Sequence, residues 1–241
     1  MDLPTLLYLF MLLRTLGGVR VDGSSFGRRK PLLLLAYLAL EGAKDRRYLS
    51  ELFWPNAANP RQSLTVAVSQ LRQGVANAVA SDSTRLWTTV RCDALQLREA
   101  VAAHAWREAS ELYAGRFMAG VDVDDGNVEL EEWLVGMRER LAAQATRASV
   151  ELADDALAAG SLRLAAKHVD KALAAWSDSA TMDLDLLRRL HALTVATGDP
   201  VAADIRNEAQ QLGLKLPLPE AIATPEPPGA DRQALPSEQA V

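Results

Sequence analysis

The 241-residue chain has one cysteine, Cys92, and three histidines, His104, His168 and His191. A lone cysteine excludes a disulfide framework within the chain and fits a reducing cytoplasm. The histidines are scattered along helical patterns, and no Cys/His cluster has the spacing of zinc ligands, so no metal and no cofactor is expected. No Ser/His/Asp or Cys/His arrangement has interpretable spacing, and no GxxxxGK[ST] phosphate loop occurs, so the chain does not read as an enzyme. Long apolar runs are also missing. The longest, Leu3 to Leu13, has 11 residues, against the roughly 20 that a bilayer demands. Asp2 is the only charge ahead of it, and no small-residue cleavage site follows, so it does not read as a signal peptide. A buried strand or short helix is the expectation there, in a soluble, cytoplasmic protein with no membrane partner.

What the sequence does hold is apolar bulk, 49% of residues, enough for packed cores, at a length that suits two ordinary domains. Charge is unevenly spread. Residues 1–95 carry 12 Lys/Arg against 7 Asp/Glu, a net of +5; residues 96–241 carry 14 against 24, a net of −10. A basic first half on an acidic second half is the pattern of a nucleic-acid module joined to a separate domain.

Along the chain, residues 13–26 contain the turn pairs Gly17-Gly18 and Asp22-Gly23 around a period-two run, which predicts a small hairpin or meander. Residues 31–41 are apolar nearly all round, open on Pro31 and stop at Gly42: a buried helix. Residues 48–54 predict a second short helix with Ser50 as its cap, closed by Pro55 and Asn59-Pro60. In residues 61–75, Leu64, Val68, Leu71 and Val75 form one apolar helical face. Residues 85–91 read as a strand. After Leu95 strand signals vanish, and helices are expected at about 96–114, 129–159, 161–176, 180–197 and 200–212. Gly160-Ser161 and Gly198-Asp199-Pro200 are stop-and-cap joints. Their glycines stand 38 residues apart, close to the ~34-residue period of tetratricopeptide arrays; a plain antiparallel bundle has the same short loops. Asp122, Asp124, Asp125 and Asn127 lack the spacing of a calcium loop and read as an acidic linker. From Pro217 onward, six of the 11 prolines fall in 25 residues, which predicts a disordered tail.

Hairpin, helix, helix, loop, helix and strand pair, in that order, describe a winged helix-turn-helix. Such a module needs a helix with polar residues for the major groove, basic groups for phosphates, and a wing. The helix at 61–75 offers Gln62, Thr65, Ser69, Arg72 and Gln73. Arg28, Arg29, Lys30, Arg46, Arg47, Arg61 and Arg91 are the basic groups. The wing is expected at residues 85–97, with Thr88 and Arg91 reaching DNA.

The segment from Arg28 to Val75 resembles the DNA-binding domain of the SARP regulators of bacteria, which is similar to the effector domain of response regulators. The resemblance rests on Glu51-Leu52-Phe53-Trp54-Pro55 and on Leu64 through Arg72. Downstream, the segment from Glu129 to Gly160 resembles the helical bacterial transcriptional activator domain that follows in that family. Together they cover residues 13 to about 213. Gln70 stands where relatives often carry a second basic residue. The wing reads Trp87-Thr88-Thr89 where they have a Gly-Tyr pair.

The sequence therefore predicts a mostly α protein with a small β component. A winged helix-turn-helix spans 1–97, a TPR-like activator domain 98–214, and a disordered Pro-rich tail 215–241. The expected partner is double-stranded DNA, contacted by Arg28, Arg29, Lys30, Arg61, Gln62, Thr65, Ser69, Gln70, Arg72, Gln73, Thr88 and Arg91. The resemblance implies activation of transcription through RNA polymerase. Whether the helical half forms a homodimer, holds a protein partner or braces the first half stays open. The rival reading is an interaction scaffold whose winged domain has lost DNA binding.

Overall fold

The computed structural model describes residues 12–123, 127–179, 183–211 and 213–216. Most of the apolar run Leu3–Leu13, the middle of the acidic linker and the Pro-rich tail from Pro217 lie outside the described residues.

Strands β1 (Leu12–Arg14) and β2 (Arg20–Val21) pair antiparallel, Leu13 opposite Val21, as the sequence predicts. Their turn uses Gly17 at φ +79°, where a Cβ would stand 2.7 Å from the Ala114 carbonyl oxygen. Helix α1 (Arg29–Glu41) buries Leu32–Leu35 and five more residues, which is why its sequence is apolar on all faces. It ends at Gly42, φ +75°, whose N–H donates to the Leu38 carbonyl.

Strand β3 (Lys44–Asp45) leads into α2 (Arg46–Phe53). The cap of α2 is Asp45, which accepts from the Arg47 and Tyr48 N–H groups at 2.7 and 3.3 Å. Ser50, the cap expected from sequence, is inside the helix and buried; its hydroxyl donates to the Arg47 carbonyl. Helix α3 (Pro60–Gly74) starts on Pro60 and is capped by Asn59, whose side chain accepts from Gln62 N–H at 3.1 Å. It buries Leu64, Ala67, Val68 and Leu71 against α1 and α2.

The wing is displaced from its expected place. Strands β4 (Ala80–Ser81) and β5 (Arg85–Trp87) form a hairpin, and β3 pairs with β5 to give the order β3-β5-β4. Strand β6 (Arg91–Cys92) leaves this sheet and pairs parallel with β1. Residues 93–97, expected in the wing, begin α4 (Asp93–Ala102). Asp93 is the anchor: its buried carboxylate accepts from Thr15 N–H at 2.8 Å, the Thr15 hydroxyl at 2.5 Å and Leu16 N–H at 3.2 Å.

The helix expected at 96–114 is two, α4 and α5 (Trp106–Leu112), broken at His104, whose φ is +56°. Then follow α6 (Val128–Ala158), α7 (Leu162–Trp176), α8 (Leu184–Thr197) and α9 (Ala202–Gln211), each packed on its predecessor. Gly160 and Gly198 take positive φ at two of the joints. Ser161 stands at the N-cap of α7 but makes no side-chain cap bond.

One core runs without interruption from Leu13 to Ala148, across residue 97, and a second gathers Val150, Val169, Leu190 and Ile205. Leu214 and Leu216 pack on the second, so ordered chain extends into the tail expected from 215. The two halves are bolted together. Tyr37 and Trp133 rings pack with centroids 4.8 Å apart. Trp133 Nε1 donates to Glu41 at 2.9 Å, and the Tyr48 hydroxyl to Glu129 at 2.8 Å. Arg138 of α6, buried, donates to the carbonyls of Phe117, Met118 and Val121. That loop in turn holds the first sheet, since Met118 N–H donates to the Thr15 carbonyl at 2.7 Å.

Candidate nucleic-acid interface

Three elements converge on a hollow of about 310 Å³: the start of α2, one flank of α3, and the wing tip. Its walls include Arg46, Arg47, Arg61, Thr65, Ser83 and Thr84. Arg46 N–H donates to the Thr84 carbonyl at 2.8 Å, which fixes the wing tip against α2. The tip is an Asx turn: Asp82 accepts from the N–H groups of Arg85 at 2.6 Å and Thr84 at 2.7 Å. These two bonds, the one from Arg85 foremost, hold the Asp82 carboxyl below the usual carboxylate range.

Three arginines line the hollow, and the three nearby carboxylates are each engaged. Asp45 is engaged with the backbone of α2, and Asp82 with its own turn. Glu51 pairs with Arg47 at 2.9 Å. Among the described residues the guanidinium groups of Arg46 and Arg61 have no hydrogen-bond or carboxylate partner. Two unpaired cations beside hydroxyls and helix backbone make a surface suited to phosphate oxygens.

The expected contact residues divide. Arg61 and Thr65 line the hollow; the Thr65 hydroxyl also donates back to the Arg61 carbonyl at 2.9 Å. Gln62, Ser69 and Gln73 are exposed on α3, with Gln73 Nε2 3.5 Å from the Ser69 hydroxyl, and Gln70 is half-buried. Arg72 is already engaged. Its Nε donates to the Val79 carbonyl at 3.1 Å and its Nη2 to the Ser81 hydroxyl at 2.8 Å, so it braces the wing strand against α3. Arg28 is exposed at the N-cap of α1. Arg29 and Lys30 are not in the hollow. They line another, with Leu33, Asp122 and Leu130, and Lys30 Nζ lies 5.5 Å over the Trp54 ring. Thr88 and Arg91 are off the wing. The Thr88 hydroxyl accepts from Val90 N–H at 3.0 Å, and Arg91 extends from β6, where its guanidinium meets the Gln96 amide.

Sequence reasoning missed Ser83 and Thr84 as the wing tip. The signal was present: Asp82-Ser83-Thr84 is an Asx-turn pattern between two short β runs. Among the described residues no group of three His, Cys, Asp or Glu side chains comes together as a metal site, and no helix is long and apolar enough to cross a membrane.

Together the elements define a winged helix-turn-helix joined to an antiparallel helical domain. The fold is shared with EmbR of Mycobacterium tuberculosis, solved in complex with a low-affinity phosphopeptide, at a TM-score of 0.58 and 17% sequence identity. The match covers 86% of this chain and 62% of the EmbR chain, so the protein spans less than two thirds of that neighbour's length. No protein-family sequence model matches the chain. No curated protein matches it by sequence.

Proposed function

We propose that the protein is a DNA-binding transcriptional regulator, acting by binding rather than by catalysis. In this reading α3 enters the major groove, the β4–β5 wing lies along the neighbouring backbone, and Arg46 and Arg61 take phosphates. The observation that carries it is the pair of guanidinium groups, Arg46 and Arg61, that meet no acceptor among the described residues in the hollow between α3 and the wing tip. The EmbR-like fold and the sequence resemblance to SARP regulators support it. The helical half then reads as a TPR-like array of antiparallel pairs, rigidly coupled to the DNA-binding half through Tyr37, Trp133 and Arg138. Phosphate contacts give binding that weakens with salt, with a log–log slope that drops by about 0.9 for each contact removed.

The test is duplex DNA binding by the full chain over a range of salt. Wild type should bind with a steep slope, and Arg46→Ala with Arg61→Ala should lower that slope by about 2. Absence of salt-dependent binding even at low salt overturns the proposal and leaves an interaction scaffold.

A further inference from the structure

Resting on the DNA-binding reading, a second question is which bases α3 would read. At about 100° per residue, the stripe opposite the buried Leu64, Val68 and Leu71 is Gln62, Val66, Ser69 and Gln73. All four are exposed. Arg61 and Arg72 lie about 100° round from it, toward the wing, where Arg61 borders the phosphate hollow and Arg72 is bonded to β4. The outward stripe therefore carries no cation. It carries two amides, one hydroxyl and one isopropyl group, and Val66 is 43% exposed at its middle.

We propose that this stripe reads A·T pairs, with Val66 packed on a thymine 5-methyl and the flanking glutamines on adenine edges. Three observations favour this. The guanidinium that most often contacts guanine is absent from the stripe, and the nearer arginine is held by the wing. Gln62 and Gln73 each have the paired donor and acceptor that match adenine N7 and N6. Val66 lies outside both hydrophobic cores, and valine is a poor helix former compared with alanine at an exposed site. Against a thymine methyl its exposed surface becomes a contact.

The experiment first enriches duplexes from a random library with the full chain, then replaces each thymine of the enriched site by uracil, which removes the methyl group alone. Enriched sites should have A·T pairs at the centre of each contact region. One uracil substitution should weaken wild type by about four-fold, the equivalent of the ~0.8 kcal/mol of one buried methyl. Val66→Ala should bind thymine and uracil duplexes alike, with a circular-dichroism melt no lower than that of wild type. If the enriched sites are G·C-rich, or uracil weakens wild type and Val66→Ala equally, the inference fails while DNA binding stands. If no duplex is enriched and none binds at low salt, the DNA-binding reading itself falls and the inference with it.

Discussion

Arg138 is a charged residue placed in a core, 8% exposed, and among the described residues it has no ion-pair partner. Its donors go to three backbone carbonyls, those of Phe117 (3.1 Å), Met118 (3.1 Å) and Val121 (2.7 Å). Burial pulls its guanidinium below the ordinary arginine range. Arg138→Met keeps much of the volume and removes every donor. Each orphaned carbonyl costs about 1–3 kcal/mol. Against this, the mutation abolishes the desolvation penalty of a buried cation, itself several kcal/mol. The net expectation is a loss of about 2–4 kcal/mol, a large part of the 5–15 kcal/mol that holds a typical protein folded. For a chain of this size that lowers Tm by about 5–15 °C. Arg138→Lys, with one nitrogen in place of the planar fork, should fall between the two. The assay is urea and thermal unfolding followed by circular dichroism. A Met variant within about 0.5 kcal/mol of wild type would refute the reasoning: the 117–121 loop would then hold without Arg138, and the link between the two halves would lie elsewhere.

Arg72→Ala should weaken binding to all duplexes by one common factor, because its guanidinium braces β4; a loss confined to one base pair, seen across a panel of single substitutions in the site, would make it a base reader. Phe53 is buried and Trp54 only half-buried, so in unfolding experiments Phe53→Ala should cost about 3–5 kcal/mol and Trp54→Ala clearly less. Gly74→Ala should destabilise, since a Cβ there would stand 2.3 Å from the Phe26 ring, and Phe26→Ala should relieve the effect in a double-mutant unfolding cycle. Burial, and then Arg206, hold the His191 imidazole below its ordinary value. The unfolded chain then takes up the proton first, so stability should fall as pH drops through about 6.5; comparing urea melts above and below that pH, His191→Leu should lose its share of this dependence.

Periodicity was enough for helix α3. Leu64, Val68 and Leu71 repeat at four and three residues, and that spacing makes one face of a helix wherever the chain goes. Asn59-Pro60 and Gly42 placed its start and the end of α1 through φ restrictions that act within a few residues. Ser50 as a cap failed for a local reason: Asp45 stands earlier and closes the helix first. The wing failed for a distant one. Residues 85–97 have strand character throughout their first half, but Asp93 is drawn to the Thr15 and Leu16 amides, 78 and 77 residues away in the chain, and takes β6 into the other sheet.

The same division runs through the candidate interface. The sequence alone determined which residues were basic or polar and which helix would carry them, because both follow from side-chain chemistry and a repeat of 3.6. Only the tertiary structure decided their jobs. Arg61 and Arg72 are both arginines of one helix, yet among the described residues the Arg61 guanidinium meets no acceptor while Arg72 is bonded to Val79 and Ser81. Arg29 and Lys30, expected with Arg61 among the DNA-contacting residues, share a hollow with Asp122. A guanidinium is a free phosphate ligand or an internal brace according to which acceptors lie within about 3 Å of it, and those acceptors arrive from other strands and helices that no local pattern could bring into view.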